Sequence, residues 1–412
     1  MYKSFLLPLA ILFLAATSHA QLTVGNGDNE RNPANLLNTI TTAVPFLGIT
    51  PDSRSGAMGD AGVALSPDAN STFWNPAKLA FAEEDLEVSL SYSPWLRQLV
   101  NDMSLAYLSG YKKLNKNQSV GGSLRYFTLG NITFTDEVGT VIRDFKPAEF
   151  AIDCSFGQKF SEKLSGGIAI RFVNSNLTGG TNVNGADSKP GISVPVDISM
   201  FYTNDDIEIA GKDARINLGA NIANIGNKMR YTNSDQRDFI PTNLKLGSAL
   251  TMSIDDYQDI TLTLDFNKLL VPTPPRYAPG GDSLLLGMDP DVGVATGIVQ
   301  SFYDAPGYYD TAGNFEKGSV LKEELREINI GGGFEYWYDK QFAFRTGYFF
   351  EHYTKGNRQF ITLGAGLKYQ VVNIDMSYLI STTQQNPLAN TLRFSLRFTV
   401  GAGSGSGDEP AE

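Results

Sequence analysis

The sequence predicts an all-β protein, a fourteen-stranded antiparallel transmembrane β-barrel with a short helical or irregular N-terminal hatch in its lumen. Three observations predict this fold. Segments of about ten residues alternate apolar and polar side chains, and this is the length that a tilted barrel strand needs to cross a bilayer. Their number is even, as in bacterial outer-membrane barrels. The connections alternate between short and long, and such barrels keep short turns in the periplasm and longer loops outside.

The composition suits an envelope protein and excludes other classes. The chain has 412 residues, 11% aromatic residues, 41 glycines and a net charge of −11. Its mean hydropathy of −0.16 is too polar for a bundle of membrane helices, whereas glycines and aromatic residues suit turns and strands. The acidic balance excludes a nucleic-acid partner, because no basic field would offset the phosphates.

The first twenty residues have the features of a secretory signal peptide. Lys3 supplies the positive start, residues 5–16 are apolar, and Ala20 ends a small-x-small cleavage site. We therefore expect the mature chain to begin near Gln21. The expected segments after it are an extension with the hatch over residues 21–84, the barrel over 85–400 and a Gly/Ser-rich tail, with the composition of an engineered linker, over 401–412.

The hatch is predicted from a stretch that lacks the alternation. Residues 54–79, RSGAMGDAGVALSPDANSTFWNPAKL, are rich in Gly and Ala and too poor in large apolar side chains to form a core of their own. A short amphipathic helix is expected just before it, over residues 33–47. Glycines in the stretch permit close packing against a barrel wall, and its Asn-Pro turn leads into the first strand. The hatch residues with this structural role are Arg54, Gly56, Gly59, Gly62, Asn75 and Pro76.

The strands are predicted from period-2 patterns that separate an apolar face from a polar one. Leu262, Leu264 and Phe266, for example, face opposite Thr263 and Asp265. The pattern predicts strands over residues 86–93, 103–112, 119–129, 148–158, 163–173, 192–203, 214–225, 242–252, 258–268, 326–337, 341–351, 358–368, 371–380 and 390–399.

Charged residues in the middle of these strands lie on the polar faces. Charges on the lipid face are costly, so we expect these side chains to point into the lumen, where their mixed signs favour internal ion pairs. They are Arg125, Asp153, Arg171, Asp197, Asp265, Glu335, Arg345, Asp375, Arg393 and Arg397.

The sequence predicts no catalytic residue, no metal site and no cofactor, and we expect the protein not to be an enzyme. Beyond the signal peptide, His352 is the sole histidine and Cys154 the sole cysteine, which argues against a His-ligated metal site and an internal disulfide. Residues 281–284 spell Gly-Asp-Ser-Leu, a hydrolase nucleophile motif, but Phe349 stands where the Asp of its Asp-x-x-His partner motif is needed. We interpret the motif as an outer-loop turn.

The outer loops carry the expected binding surface. The longest one, residues 269–325, combines prolines with an apolar middle and clustered aromatic side chains, and its apolar content argues against disorder. Aromatic side chains are common anchors at binding surfaces. The residues predicted to contact a partner are Trp95, Leu96, Leu285, Phe302, Tyr303, Tyr308 and Tyr309. For Trp95, a place in an interfacial aromatic belt is an equal alternative.

Two overlapping stretches resemble known outer-membrane proteins. SGAMGDAGVALSPDANSTFWNPAKLAF is similar to the Gly-Ala-rich, Asn-Pro-ending segment that leads from the hatch into the first of fourteen strands in the FadL-like family. Within that family, RNPANLLNTITTAVPFLGITPDSRSGAMGDAGVA resembles the PorV group of the type IX secretion system, found in the Bacteroidetes phylum. The resemblance extends over essentially the whole mature chain.

The resemblance implies a non-enzymatic outer-membrane component of type IX secretion. Its implied partners are a very large translocon barrel, cargo proteins with C-terminal secretion domains, a sortase-like attachment protein and outer-membrane lipid or lipopolysaccharide. A FadL-like channel for hydrophobic small molecules is the alternative. A lateral gap or a continuous apolar tunnel would favour the channel, and an interior sealed by ion pairs would count against it.

Overall fold

The computed structural model describes residues 37–97, 100, 102–135, 138–180, 182–183, 186–232, 237–278, 283–310, 314–383 and 388–400. The expected signal peptide, the start of the predicted 33–47 helix and the Gly/Ser-rich tail lie outside the described residues. The chain divides into a main unit, Leu37–Gly307 with Lys317–Glu412, and a smaller one whose described residues fall within Tyr308–Glu316. In the smaller unit, Tyr309 and Phe315 form a β-bridge, and their ring centroids lie 5.8 Å apart.

Fourteen antiparallel strands form a closed barrel in the main unit, as predicted. They are β1 (Leu86–Pro94), β2 (Met103–Asn115), β3 (Gln118–Leu129), β4 (Ala148–Lys159), β5 (Leu164–Asn176), β6 (Val196–Ile209), β7 (Lys212–Ile225), β8 (Asn243–Asp255), β9 (Gln258–Leu269), β10 (Asn329–Tyr338), β11 (Phe342–Phe350), β12 (Gln359–Tyr369), β13 (Val372–Ser381) and β14 (Leu392–Val400). Each strand pairs with its neighbours in sequence. The pairing of β1 with β14, from Leu86 opposite Val400 to Tyr92 opposite Phe394, closes the barrel.

The two ends of the barrel carry different connections. Short turns follow β2, β4, β6, β8, β10 and β12 at what we call the inner end, and longer loops follow the odd-numbered strands at the outer end. The sequence predicts a loop over residues 204–213, but this prediction is wrong. The ladder of β6 and β7 continues to Ile209 opposite Lys212, because Gly211 tolerates the positive φ of 73° that its two-residue turn requires.

The outer loops contain short elements of their own. Paired strands occupy Ile132–Thr135 with Val141–Phe145, Asn182–Val183 with Ala186–Asp187, and Arg276–Tyr277 with Leu284–Leu286. The β9–β10 loop also holds helices α3 (Val294–Gln300) and α4 (Ser319–Arg326), which are numbered after two helices of the hatch, α1 (Ser53–Ala57) and α2 (Ser71–Trp74). No helix in the described part of the chain is long and apolar enough to cross a membrane.

The two faces of the wall differ as the alternation predicts. On β6, Val196, Ile198 and Met200 are exposed on the outside, while Asp197 and Ser199 are buried on the lumen side. All ten mid-strand charges predicted to face the lumen are buried. The apolar outer face suits lipid, and the polar inner face surrounds the hatch.

The hatch is a plug inside the barrel, formed by residues 37–85, and it runs from one end of the lumen to the other. At the outer end, the backbone N–H of Asn38 donates to the carbonyl of Thr354 at 2.8 Å. At the inner end, the ring of Phe81 lies 4.7 Å from Nζ of Lys159, the last residue of β4. Its regular elements are α1 (Ser53–Ala57), α2 (Ser71–Trp74) and 3-10 turns at Pro45–Gly48 and Pro76–Phe81.

The prediction of an amphipathic helix over residues 33–47 is wrong for residues 37–47, which are the ones the structure describes. Residues 37–44 contain no helix, and the only helical residues before Gly48 in the described range belong to the 3-10 turn that begins at Pro45. The backbone N–H of Ala43 donates to the carbonyl of Phe239 at 2.8 Å. Backbone donors that a helix would use internally are therefore bonded to outer loops instead.

Candidate functional site

A continuous network of buried ion pairs joins the plug to the wall. The Arg54 guanidinium donates to both carboxylate oxygens of Glu335 on β10, at 3.1 and 3.0 Å. Glu335 also accepts from Arg345 at 2.6 Å, and Arg345 donates to Asp375 at 2.6 Å. Arg397 on β14 donates to Asp375 at 3.1 Å. Because each of these charges is buried and shares its partners, removing one leaves another uncompensated in a poorly solvated site.

Hydrogen bonds fix the plug against other strands as well. The backbone N–H groups of Gly62 and Val63 donate to one carboxylate oxygen of Asp265 on β9, at 2.7 and 2.9 Å. The Asn75 amide donates to the carbonyl of Met200 on β6 at 3.0 Å. Its side-chain oxygen accepts from the N–H of Ala77 at 3.1 Å and so caps the 3-10 turn that begins at Pro76.

Glycines on the lumen side of the wall make room for the plug backbone. A Cβ added to Gly333 on β10 would lie 2.6 Å from Cα of Met58, and one added to Gly219 on β7 would lie 2.5 Å from the carbonyl oxygen of Val63. Gly59 in the plug has a φ of 72° and packs against β10 and β11. The wall glycines are not among the residues predicted from the sequence. The sequence signal that could have indicated them is glycine on the polar face of a strand whose side chains otherwise alternate between apolar and polar.

Each of the fourteen barrel strands is hydrogen-bonded to both of its neighbours around the ring. Where β6 begins only at Val196, the outer half of β5 is paired instead by the short strand Gly191–Ser193, with Gly191 opposite Ser175 and Ser193 opposite Val173. The N–H of Arg171 donates to the carbonyl of Pro195 at 2.9 Å between these two ladders. The pairing along β5 is therefore continuous here, and Gly191–Ser193 forms no ladder with β7 in the described part of the chain.

A cavity of about 420 Å³ lies between the plug and the outer loops. Phe73 and Trp74 of α2 line it from the plug, and Phe349 and Phe360 line it from β11 and β12. Trp95 also lines it, packed beside the apolar cluster that contains Phe46. Trp95 thus lies half-buried beneath the loops. It does not lie in an aromatic belt on the outside of the barrel.

The other residues predicted to contact a partner differ in exposure. Leu285, Phe302 and Tyr303 are exposed on the β9–β10 loop. Leu96 is half-buried. Tyr308 is buried, contrary to its expected place as an exposed anchor, and Tyr309 packs against Phe315 in the smaller unit.

Helix α4 is inverted relative to an ordinary surface helix. Glu323 and Glu324 are buried on its inner face, where they form ion pairs with Lys355 at 3.1 Å and Lys268 at 2.9 Å. Leu321 and Leu325, one helical turn apart, are 64% and 59% exposed. An amphipathic helix on the surface of a globular protein normally buries its leucines and exposes its carboxylates.

The same loop body carries further exposed apolar side chains. The N–H of Ala305 donates to the Glu324 carboxylate at 2.8 Å, which ties the segment after α3 to α4. Val299 at the end of α3 and the nearby Phe302 and Tyr303 are exposed. We call the exposed set on this loop the outer apolar surface. It consists of Leu285, Val299, Phe302, Tyr303, Leu321 and Leu325.

The described residues contain no group of three or more His, Cys, Asp or Glu side chains that could hold a metal ion. The first two residues of the Gly-Asp-Ser-Leu motif lie outside the described residues. His352 is placed in the outer β11–β12 loop, with Nδ1 2.9 Å from the Thr354 hydroxyl. Partial burial, reinforced by the charges of Arg326 and Lys355, lowers the pKa of His352 to about 4.

Comparison with known proteins gives one family match and several fold matches. The sequence model of the family described as type IX secretion system protein PorV matches residues 32–276. No curated relative matches the chain by sequence.

Similar solved structures include two toluene transporters and a FadL homologue. The Ralstonia pickettii toluene transporter TbuX is 11% identical, with 84% of this chain and 98% of that chain covered and a TM-score of 0.45. A Pseudomonas aeruginosa FadL homologue is 11% identical, with coverages of 88% and 99% and a TM-score of 0.44. The P. putida toluene transporter TodX is 10% identical, with coverages of 85% and 99% and a TM-score of 0.45. At this level of similarity they carry no information about what this chain binds.

Proposed function

The chain belongs to the PorV family of type IX secretion system proteins, and on that premise we propose that it is a non-enzymatic docking protein of the secretion step. It is an integral outer-membrane component of the type IX secretion system. Its inner end faces the periplasm and its longer loops face outward. In the proposed role it docks on the very large translocon barrel, binds cargo proteins through their C-terminal domains and passes them to a sortase-like attachment protein.

The observation that carries the proposal is the outer apolar surface. Leu321 and Leu325 are held outward by an inner face of ion-paired carboxylates, so the helix cannot bury its leucines without breaking those pairs. Exposed apolar side chains grouped on one surface are typical of protein-binding sites. A rigid loop body that presents them suits repeated docking of partners, because little ordering entropy is lost on binding.

The closed lumen supports docking over transport. The plug is hydrogen-bonded to β6, β9, β10 and β12, packs against β11 and is joined to the ion-pair network, so a passage through the lumen would require breaking these contacts. The FadL-like channel for hydrophobic small molecules remains the alternative, and the cavity above the plug is the observation in its favour. A channel predicts conductance or uptake by the purified protein in bilayers.

The test is a pull-down in mild detergent followed by mass spectrometry. We expect the wild-type protein to co-purify with a very large outer-membrane barrel or with proteins that carry C-terminal secretion domains. The double variant Leu321→Asp/Leu325→Asp should lose these partners at least tenfold while remaining folded, since both side chains are exposed. Val138→Asp, an exposed apolar position in the β3–β4 loop, is the matched control. Unchanged capture by the double variant would remove α4 from the docking surface, and absence of both partner classes from the wild-type sample would contradict the docking role.

A further inference from the structure

The cavity above the plug contains a buried cation that the docking function does not use. Lys245 lies on β8, lines the cavity and is only 7% exposed. Its Nζ lies 4.3 Å from the centroid of the Phe73 ring and 5.0 Å from that of Trp74. Among the described residues it forms no hydrogen bond and no ion pair. Burial of a charge is costly unless an opposite charge or a hydrogen-bond partner compensates it.

The other charges that line the cavity are compensated. Arg393 donates to Asp60 at 3.2 Å, and Arg358 donates to Glu351 at 2.7 Å. The third pair joins Lys355 to Glu327 at 2.9 Å. Three acidic and four basic side chains line the space, and Lys245 is the basic one without an ion pair or hydrogen bond in the described part of the chain.

Amide side chains extend the polar wall around Lys245. The register places Lys245 opposite Asn267 on β9, and Asn267 opposite Asn329 on β10, so the three form one row across adjacent strands. All three line the cavity, together with Asn243, two residues before Lys245 on the same face. The unpaired buried atom of Asn243 is its side-chain oxygen, an acceptor, so Asn243 adds no donor to this wall. An ammonium flanked by amide N–H donors is a wall suited to an anion.

The remaining lining is apolar and aromatic. Phe349 and Phe360 stack with centroids 4.9 Å apart and an interplanar angle of 10°, and Leu388 packs against them. Ligand pockets combine such apolar walls with a few convergent polar groups, and their volumes are about 300–1,000 Å³. At about 420 Å³, this cavity has the size for a small molecule.

From this geometry we propose that the cavity binds a small organic carboxylate with a compact apolar or aromatic body. Its carboxylate accepts hydrogen bonds from the Lys245 ammonium and from the amides of Asn267 and Asn329. Its apolar body packs against Phe349 and Phe360. This site is independent of the outer apolar surface, so either proposal can fail without the other.

Tryptophan fluorescence can test the site, because Trp74 and Trp95 line the cavity. The probe is 4-bromobenzoate, whose bromine quenches a nearby indole, added to the purified, folded full-length barrel. We expect saturable quenching, weakened at least tenfold by Lys245→Met and largely retained by Lys245→Arg. Lys212→Met, at an exposed position at the inner end, should leave the titration unchanged.

The neutral isostere 4-bromobenzamide separates charge recognition from simple apolar binding. We expect it to bind at least tenfold more weakly than the carboxylate to the wild-type protein. Equal binding of the two probes, equal binding by Lys245→Met, or quenching that never saturates would each overturn the proposal. The Lys245→Met variant is expected to fold, because an apolar side chain replaces a buried charge that has no ion pair, and its unfolding midpoint provides the check.

Discussion

Arg54 of the plug forms a buried ion pair with Glu335 of the wall. Its guanidinium contacts Glu335 twice and lies 3.5 Å from Asp68. Substitution by leucine leaves Glu335 with Arg345 and Asp68 with Arg397, so the network keeps part of its compensation. We therefore predict that Arg54→Leu lowers the free energy of unfolding by ~3 kcal/mol, at the lower end of the cost of breaking a buried pair. Urea unfolding in lipid vesicles measures this change.

An exposed ion pair provides the control for Arg54. Lys163 and Asp206 meet at the inner end with both side chains largely exposed. Solvent screens such exposed pairs, so Lys163→Ala should change the free energy of unfolding far less than Arg54→Leu does. Equal effects of the two substitutions would show that burial of the Arg54 network does not matter for stability.

His352 gives a pH-dependent prediction. Burial first, and then the charges of Arg326 and Lys355, lower its pKa from 6.5 to about 4. Between these values the unfolded chain binds a proton at this position that the folded protein does not, so stability falls as the pH decreases from 6.5 towards 4. Histidine-selective NMR should find a titration midpoint near 4, with His352→Gln to assign the signal. A midpoint near 6.5 would contradict the burial of this ring.

At the level of elements, the plug and the wall strands meet through glycine. Gly333 and Gly332 are neighbours on β10 that point to opposite sides of the wall. A Cβ at Gly333 would lie 2.6 Å from the Met58 backbone, whereas one at Gly332 would come no closer than 3.5 Å to its neighbours. We predict that Gly333→Ala lowers the folded fraction, because overpacking against backbone costs about 1–3 kcal/mol or more. Gly332→Ala should assemble normally, and heat-modifiability on gels distinguishes the two outcomes.

The elements also mark the limit of what the sequence predicts. The strands are predictable because alternation is local, and ten mid-strand charges could be assigned to the lumen from the cost of placing charge in lipid. The partner of Arg54 could not be predicted, because Glu335 is 281 positions away and only ring closure brings the two together. The sequence also could not predict which face of helix α4 is buried. Its leucine spacing alone indicates a buried face, and the buried lysines that reverse it come from β9 and from the β11–β12 loop.

At the scale of the whole molecule, the plug begins at the outer end of the barrel and ends at the inner end. Asn38 is bonded to Thr354 and Glu323 in outer loops, while the plug leaves the lumen at the inner end and continues into β1. Leu37 is 77% exposed at the outer end, and Tyr257 is 63% exposed in the β8–β9 turn at the inner end. A cysteine at each position can therefore report which end of the barrel faces the cell exterior. In a Cys154→Ser background, we predict that Leu37→Cys reacts with an impermeant maleimide on intact cells. Tyr257→Cys should react only after the outer membrane is permeabilised, and the reverse pattern would invert the assigned orientation.

The path of the plug has a consequence for how the barrel is made. β1 follows the plug directly and pairs with β14, so the pairing that closes the barrel joins the strand next to the plug to the final strand. If that seam closed around an empty lumen, the chain would have to thread from the inner to the outer end past the glycine contacts and the ion pairs. We therefore expect the plug to be in place before strands β1 and β14 pair and close the barrel around it.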